Sequence, residues 1–98
     1  MGKTYDKIDG AIQRWIVEQK VFFVATAPLS EGGHINCSPK DGYSIRVCDE
    51  KTLVYLDLIG SGVETIAHLR ENGRIVVMMC AFEGHPRIMR LHGPGRNR

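Results

Sequence analysis

Ser38 and Lys40 flank Pro39 in a short stretch between two segments with the alternation typical of strands. A serine hydroxyl can donate a hydrogen bond to a phosphate oxygen, and a lysine ammonium adds a compact positive charge. The two side chains are therefore candidate phosphate ligands. A tight turn would account for Pro39 and Gly42 equally well. Taken alone, the stretch fits either a phosphate site or an ordinary turn at the end of a strand.

A capping motif lies where the second helix is predicted to begin. Ser61 and Glu64 have the spacing of a capping box, in which each side chain satisfies a backbone N–H group of the other residue. The free N–H groups and positive dipole end of such a helix attract anions. Without other evidence, Ser61 could equally be a helix cap and nothing more.

Metal binding and covalent hydrolysis are disfavoured by the spacing of the reactive residues. The three cysteines, an odd number, have no CxxC spacing, which argues against a disulfide framework or a zinc site. His34 and Cys37 are three residues apart in a segment predicted to be extended, so they would point to opposite faces. The cysteines are expected to be small buried residues. No nucleophile stands beside a matched base.

Length and composition indicate one globular domain, residues 1–98. No apolar run approaches the roughly 20 residues of a membrane span, and the N-terminus lacks the apolar core of a signal peptide, so we expect a cytoplasmic protein. The net charge is +2, and residues 85–98 carry four arginines and no acid. No aromatic residues are interleaved there to stack on bases, so nucleic-acid binding is not favoured.

Hydrophobic periodicity predicts two helices and six short strands. The helices are expected at 5–19 and 62–72, with His68 at the surface and a stop at Asn72 and Gly73. The strands are expected at 21–27, 34–39, 43–48, 52–58, 74–82 and 87–93. Strands joined by short loops pair antiparallel, so the order favours a mainly β, α+β fold in which the sheet forms a small barrel.

Four motifs in this order resemble the pyridoxamine 5′-phosphate oxidase-like family of FMN-binding split barrels. They are FFVATA, HINCSPKDG, TLVYLDLIGSGVETIAHLRENGRIVVM and PRIMRLHG, and the resemblance spans residues 5–93. It implies a six-stranded antiparallel split barrel with an N-terminal helix and one inserted helix. It also implies a homodimer that holds FMN in a groove between its two subunits, so FMN affinity and dimerisation should be coupled.

The resemblance also implies roles for individual residues. Ser38 and Lys40 fall on a strand that contacts FMN, while Arg87 and Arg90 fall on a strand that approaches the cofactor late in the barrel. The remaining implied FMN contacts are Tyr55 and Asp57 beside the flavin, and Ser61, Gly62 and Thr65 near the phosphate. Arg87 or Arg46 could place positive charge at the pyrimidine edge of the flavin.

Two departures from the family pattern bear on the expected activity. Gly62 and Val63 stand where the oxidase proper has adjacent basic residues, and the sequence ends earlier than is usual, as in a C-terminally short member. We therefore expect a flavin-dependent oxidoreductase of unknown substrate, a non-enzymatic flavin binder, or a shortened domain that has lost the cofactor. The resemblance does not choose among FMN, FAD, a deazaflavin and haem.

Overall fold

A computed structural model describes residues 3–56 and 63–96 of the chain. The fold is α+β with antiparallel strand pairing, in agreement with the predicted class. Its elements, in chain order, are α1 (Gly10–Glu18), β1 (Val21–Thr26), β2 (Asn36–Asp41), a 3-10 turn (Gly42–Ser44), β3 (Ile45–Asp49), β4 (Thr52–Tyr55), α2 (Val63–Glu71), β5 (Arg74–Cys80) and β6 (Ile88–Pro94). No helix among the described residues has the length and apolar character that crossing a membrane requires.

The strands form two sheets. One has four strands in the order β2-β1-β5-β6, and the other is the β3-β4 hairpin. Among the described residues β4 pairs only with β3 and β6 only with β5, so these six strands do not close into one barrel. The closed form of the expected barrel is thus not confirmed.

The core lies on one face of the four-stranded sheet, which we call the inner face. Along β1 every second side chain is buried, and the three buried ones are Phe22, Val24 and Thr26. Ile12 and Ile16 of α1 pack against this face. The alternation arises because successive side chains of a strand point to opposite faces. The opposite set, which includes Phe23, defines the outer face and is only half-buried.

Helix α1 begins at Gly10, five residues later than the pattern predicts. Asp9 is the N-cap, and its carboxylate accepts a hydrogen bond from the Ile12 N–H at 2.9 Å. Just before it, the Ile8 N–H donates to the carbonyl of Glu50 in the β3–β4 turn, at 2.8 Å. The segment before Asp9 therefore contacts the β3–β4 hairpin and is not part of the helix. The helical spacing of Tyr5 and Ile8 in the sequence does not reveal this contact.

Strand β2 runs through Lys40 and Asp41, which were predicted to form a turn with Gly42. Lys40 pairs across the ladder with Phe22, and Asp41 pairs with Val21. The chain then turns at Gly42, whose N–H donates to the carbonyl of Lys20 at 2.8 Å. A turn thus exists here, but it starts two residues after the predicted end of the strand.

The second helix and the late strands match their predictions to within two residues. Helix α2 stops at Asn72 and Gly73 as predicted, and Gly73 has a φ of 70°, a left-handed conformation that suits glycine. The Gly73 N–H donates to the carbonyl of Leu69 at 3.0 Å. Ser61, the predicted cap at the other end, lies outside the described residues.

Candidate functional site

The inner face of β2 carries a row of polar side chains. Asn36, Ser38 and Lys40 alternate along the strand and are half-buried, whereas the residues between them are exposed. Their cross-strand partners on β1 are Thr26, Val24 and Phe22, in that order, which are all buried. Ser38 and Lys40 therefore face the interior side of the sheet, as ligands would and as residues of a solvated turn would not.

The Ser38 hydroxyl is buried and has no hydrogen-bond partner among the described residues. Burial of a hydroxyl without a partner costs about 1–3 kcal/mol in proteins. Native structures contain few such groups, and each calls for a further partner such as an ordered water, an ion or a ligand. Among the described side chains on the inner face, the Ser38 hydroxyl is the buried polar group that lacks a hydrogen-bond partner.

Helix α2 is docked on β1 and β2 through hydrogen bonds along one side. The Asn36 amide donates to the Thr65 hydroxyl at 2.7 Å, and the Thr26 hydroxyl lies 2.9 Å from Nδ1 of His68. Near the C-terminal end, the Asn72 amide donates to the carbonyl of Ala27 at 2.7 Å. Positions 65, 68 and 72 are spaced to share one side of a helix.

Two of these docking residues were not identified as such from the sequence. His68 was expected at the surface, but it is 8% exposed and pairs with buried Thr26. Asn36 is not among the residues predicted to form the site, although it precedes Ser38 and Lys40 with the same two-residue spacing. That spacing was the available signal, because residues i, i+2 and i+4 of a strand share a face.

A large open groove of about 1750 Å³ lies beside the docked helix. It is lined by segment 3–8, by β4, by one side of α2 and by the whole of β6, with Ile75 and Val77 of β5. Three of the predicted FMN contacts, Tyr55, Thr65 and Arg87, line it. The groove is thus a mixed apolar and polar space of the kind that a flat apolar ring with a charged tail requires.

Tyr55 links the groove to the polar row on β2. Its ring packs edge-on against Phe22, with 5.4 Å between ring centroids and an interplanar angle of 70°. Phe22 is in turn the cross-strand partner of Lys40. The structure therefore places Ser38, Lys40, Tyr55 and Thr65 on one side of the sheet, although Ser38 and Lys40 do not line the groove itself.

The arginines are arranged differently from one another. Arg87 lies over the ring of Trp15, with its guanidinium carbon 5.4 Å from the ring centroid, and it lines the groove together with Arg90. Arg46 donates to the carbonyls of Tyr43 and Ile45, each at 2.7 Å, and does not line the groove. Of the two arginines considered for the pyrimidine edge of a flavin, Arg87 is the better placed.

Three predicted contacts, Asp57, Ser61 and Gly62, lie outside the described residues. They belong to the connection between β4 and α2, and these two elements contribute Tyr55 and Thr65 to the groove. Their predicted roles stay predictions.

The remaining reactive groups lie elsewhere. The cysteines are free, and Cys37 and Cys48 are exposed, so the expectation that they are buried is wrong for these two. Within 3–56 and 63–96, no three His, Cys, Asp or Glu side chains group as a metal site would require. A surface ion pair of 2.7 Å joins Lys20 and Glu83; its hydrogen bond raises the pKa of Lys20 and lowers the pKa of Glu83.

The chain is similar to a curated fungal protein. The chain is 46% identical over 93 residues to the pyridoxamine 5′-phosphate oxidase family protein ustO of Aspergillus flavus. The match covers 93% of this chain but only 37% of the length of that relative. No protein-family model and no solved structure matches the chain. The identity over nearly all of these residues confirms the resemblance seen in the motifs: over its length the chain is homologous to a pyridoxamine 5′-phosphate oxidase family protein.

Proposed function

We propose that this domain binds FMN, with the phosphate held at the inner face of β2 beside the start of α2. The observation that carries the proposal is the buried Ser38 hydroxyl, which has no hydrogen-bond partner among the described residues. A phosphate oxygen would satisfy it. Lys40 on the same face supplies positive charge, and Thr65 supplies a second hydroxyl. Ser61 and Gly62 are the further ligands that the family resemblance implies.

The phosphate contacts alone cannot give tight binding. A hydrogen bond to a charged group contributes about 1.5–3 kcal/mol, and association itself costs several kcal/mol. Micromolar affinity requires about 8 kcal/mol net. The isoalloxazine ring must therefore bury apolar area as well, and the groove beside Tyr55 offers it through Ile66 and Leu69 of α2.

We propose that the bound flavin serves a redox reaction on a substrate that is not yet identified. FMN, when bound, supplies the hydride or electron chemistry, and the chain binds and orients it. Arg87 lines the groove and has its guanidinium carbon 5.4 Å from the centroid of the Trp15 ring, so it is the candidate donor to the pyrimidine edge of the flavin. A non-enzymatic binder of FMN, FAD, a deazaflavin or haem is the alternative, and a domain that has lost its cofactor is the third possibility.

A split barrel is the proposed closed form of the six strands. Its support is that β4 and β6, which each pair on one side within the described residues, both line the same groove. The opening of the barrel would then run between these two strands, and the groove would be the space inside it.

A homodimer is the proposed assembly, and the outer face of the four-stranded sheet is the proposed contact surface. Phe23 and Val76 lie on that face, as does Met78, which pairs with Phe23 across β1 and β5. All three are half-buried. Apolar sheet faces of this kind are commonly covered by another layer. Because β2 is an edge strand within the described part of the chain, a partner on the outer face would border the strand whose inner face carries the proposed phosphate ligands.

The test is an absorbance spectrum of the purified protein, followed by FMN titration of the wild type, Lys40→Ala and the control Lys20→Ala. Lys20 is an exposed lysine that does not line the groove. We expect saturable binding that Lys40→Ala weakens by about tenfold or more and Lys20→Ala leaves unchanged. No wild-type binding at high micromolar FMN would refute the proposal. Equal affinity of all three proteins would refute the phosphate assignment.

Reduction of the bound flavin by a nicotinamide cofactor separates the two flavin-binding alternatives. An oxidoreductase should lose its flavin absorbance when the nicotinamide is added without oxygen. A protein that only stores or senses the flavin should keep its absorbance unchanged.

A further inference from the structure

We infer that Asn36 is a positioning residue that makes the Thr65 hydroxyl a donor, and that it thereby selects a flavin carrying a phosphate monoester over one without it. The inference rests on the proposed function. Asn36 itself does not contact the flavin in this proposal, because its amide donates a hydrogen bond to the Thr65 hydroxyl.

The direction of the Asn36–Thr65 hydrogen bond determines what Thr65 can do. Nδ2 of Asn36 donates to Oγ1 of Thr65 at 2.7 Å. A threonine hydroxyl has one hydrogen and two lone pairs, and this contact occupies a lone pair. This contact therefore leaves the hydroxyl hydrogen available for a second acceptor. If residue 36 accepted this hydrogen instead, Thr65 would have no proton left to give.

Thr65 is placed so that this hydrogen can reach a ligand in the groove. The residue is only 4% exposed, yet it lines the groove, in the first turn of α2. A donor held in a poorly hydrated place is electrostatically stronger than the same donor in water. The hydrogen bond of Asn36 also fixes this first turn against β2, while the His68 contact fixes the next turn against β1.

The polar side chains on the inner face of β2, the strand that contacts Thr65 through Asn36, are donors and include no carboxylate. Ser38 lies two residues beyond Asn36 on the same face, about 7 Å along the strand, and Lys40 lies another two residues on. The exposed Asp41 belongs to the opposite face. Two hydroxyls and an ammonium can all donate to phosphate oxygens, whereas the hydroxyl that ends the riboflavin chain carries no charge to attract them.

The substitution Asn36→Asp tests this arrangement with almost no change in shape. The new carboxylate would accept the Thr65 hydrogen and keep a contact between β2 and α2, but it would remove the free donor and bring negative charge near the phosphate. We expect the Kd for FMN to rise by about tenfold or more, while the Kd for riboflavin changes by less than about twofold. Thr65→Val should weaken FMN binding in the same selective way.

Asn72→Asp is the matched control, because Asn72 makes a similar docking contact at the other end of α2, to the carbonyl of Ala27. That variant should change the thermal stability of the protein but not the ratio of the two Kd values. Both Kd values follow from flavin fluorescence titration, and a melting curve shows that each variant is folded.

The outcomes distinguish a failure of the proposed FMN binding from a failure of the proposed role of Asn36. A wild type that binds neither flavin overturns the proposed function, and the role of Asn36 with it. A wild type that binds FMN, beside an Asn36→Asp variant with unchanged FMN affinity, overturns the role of Asn36 alone. Equal losses for FMN and riboflavin would show that Asn36 only holds the fold, which also overturns the inference.

Discussion

The Nδ1 atom of His68 lies 2.9 Å from the hydroxyl oxygen of Thr26, and both residues are almost fully buried. This contact joins the middle of α2 to the last residue of β1, which are 42 positions apart in the chain. Hydrogen bonds and not apolar contacts alone therefore hold the helix that carries Thr65.

Removal of the Thr26 hydroxyl should destabilise the fold. In Thr26→Val the shape is kept, but Nδ1 of His68 loses its partner in a buried place. We expect the free energy of unfolding to fall by about 1–3 kcal/mol. Urea unfolding followed by circular dichroism measures it. Thr26→Ser keeps a hydroxyl and should lose less; an equal loss in both variants would assign the effect to packing.

The Ser38 hydroxyl should act against stability in the free protein and for affinity in the complex. Because it is buried without a partner in the described part of the chain, Ser38→Ala removes an unsatisfied group. The ligand-free variant should be as stable as the wild type or more stable by up to about 1–2 kcal/mol, and its FMN affinity should fall. Thermal melting with and without FMN measures both effects. A clear loss of stability without FMN would contradict this account of Ser38.

Gly42 should tolerate no side chain. A Cβ there would overlap the carbonyl oxygen of Gln19, and it would lie 2.8 Å from the carbonyl carbon of Lys20. Gly42→Ala would force the β2–β3 connection away from the chain that joins α1 to β1, at a cost of about 1–3 kcal/mol. Gly32→Ala is the control, since its methyl would lie 3.7 Å from the Ser30 hydroxyl, an ordinary contact. Similar unfolding midpoints for both variants would contradict the close packing of Gly42 against the backbone of Gln19 and Lys20.

A charge on the outer face should separate the proposed dimer. Met78 is half-buried there beside Phe23, so Met78→Lys would place an ammonium in the contact surface. We expect sedimentation to show a dimer for the wild type and a monomer for the variant, with weaker FMN binding in the monomer. Val17→Lys, at a position 59% exposed on α1, should leave the dimer intact. A monomeric wild type in the presence of FMN would refute the homodimer.

Much of the candidate site could be predicted from the sequence because its signals are local. The alternation that puts Ser38 and Lys40 on one face follows from the geometry of a strand, and the stop of α2 follows from Asn72 and Gly73. Asn36 follows the same alternation along β2. Its role depends on a contact that alternation does not predict, because its amide nitrogen lies 2.7 Å from the hydroxyl oxygen of Thr65. The family relationship was also visible in the order of short motifs.

Long-range contacts decided the rest. The start of α1 depends on Ile8, which pairs with Glu50 in the β3–β4 turn. The burial of His68 depends on Thr26, and the split into two sheets depends on which strand edges meet. Residue type and periodicity determine which face of an element is apolar and where it stops. They do not determine which distant group satisfies a given polar atom, because that depends on how the elements pack in three dimensions.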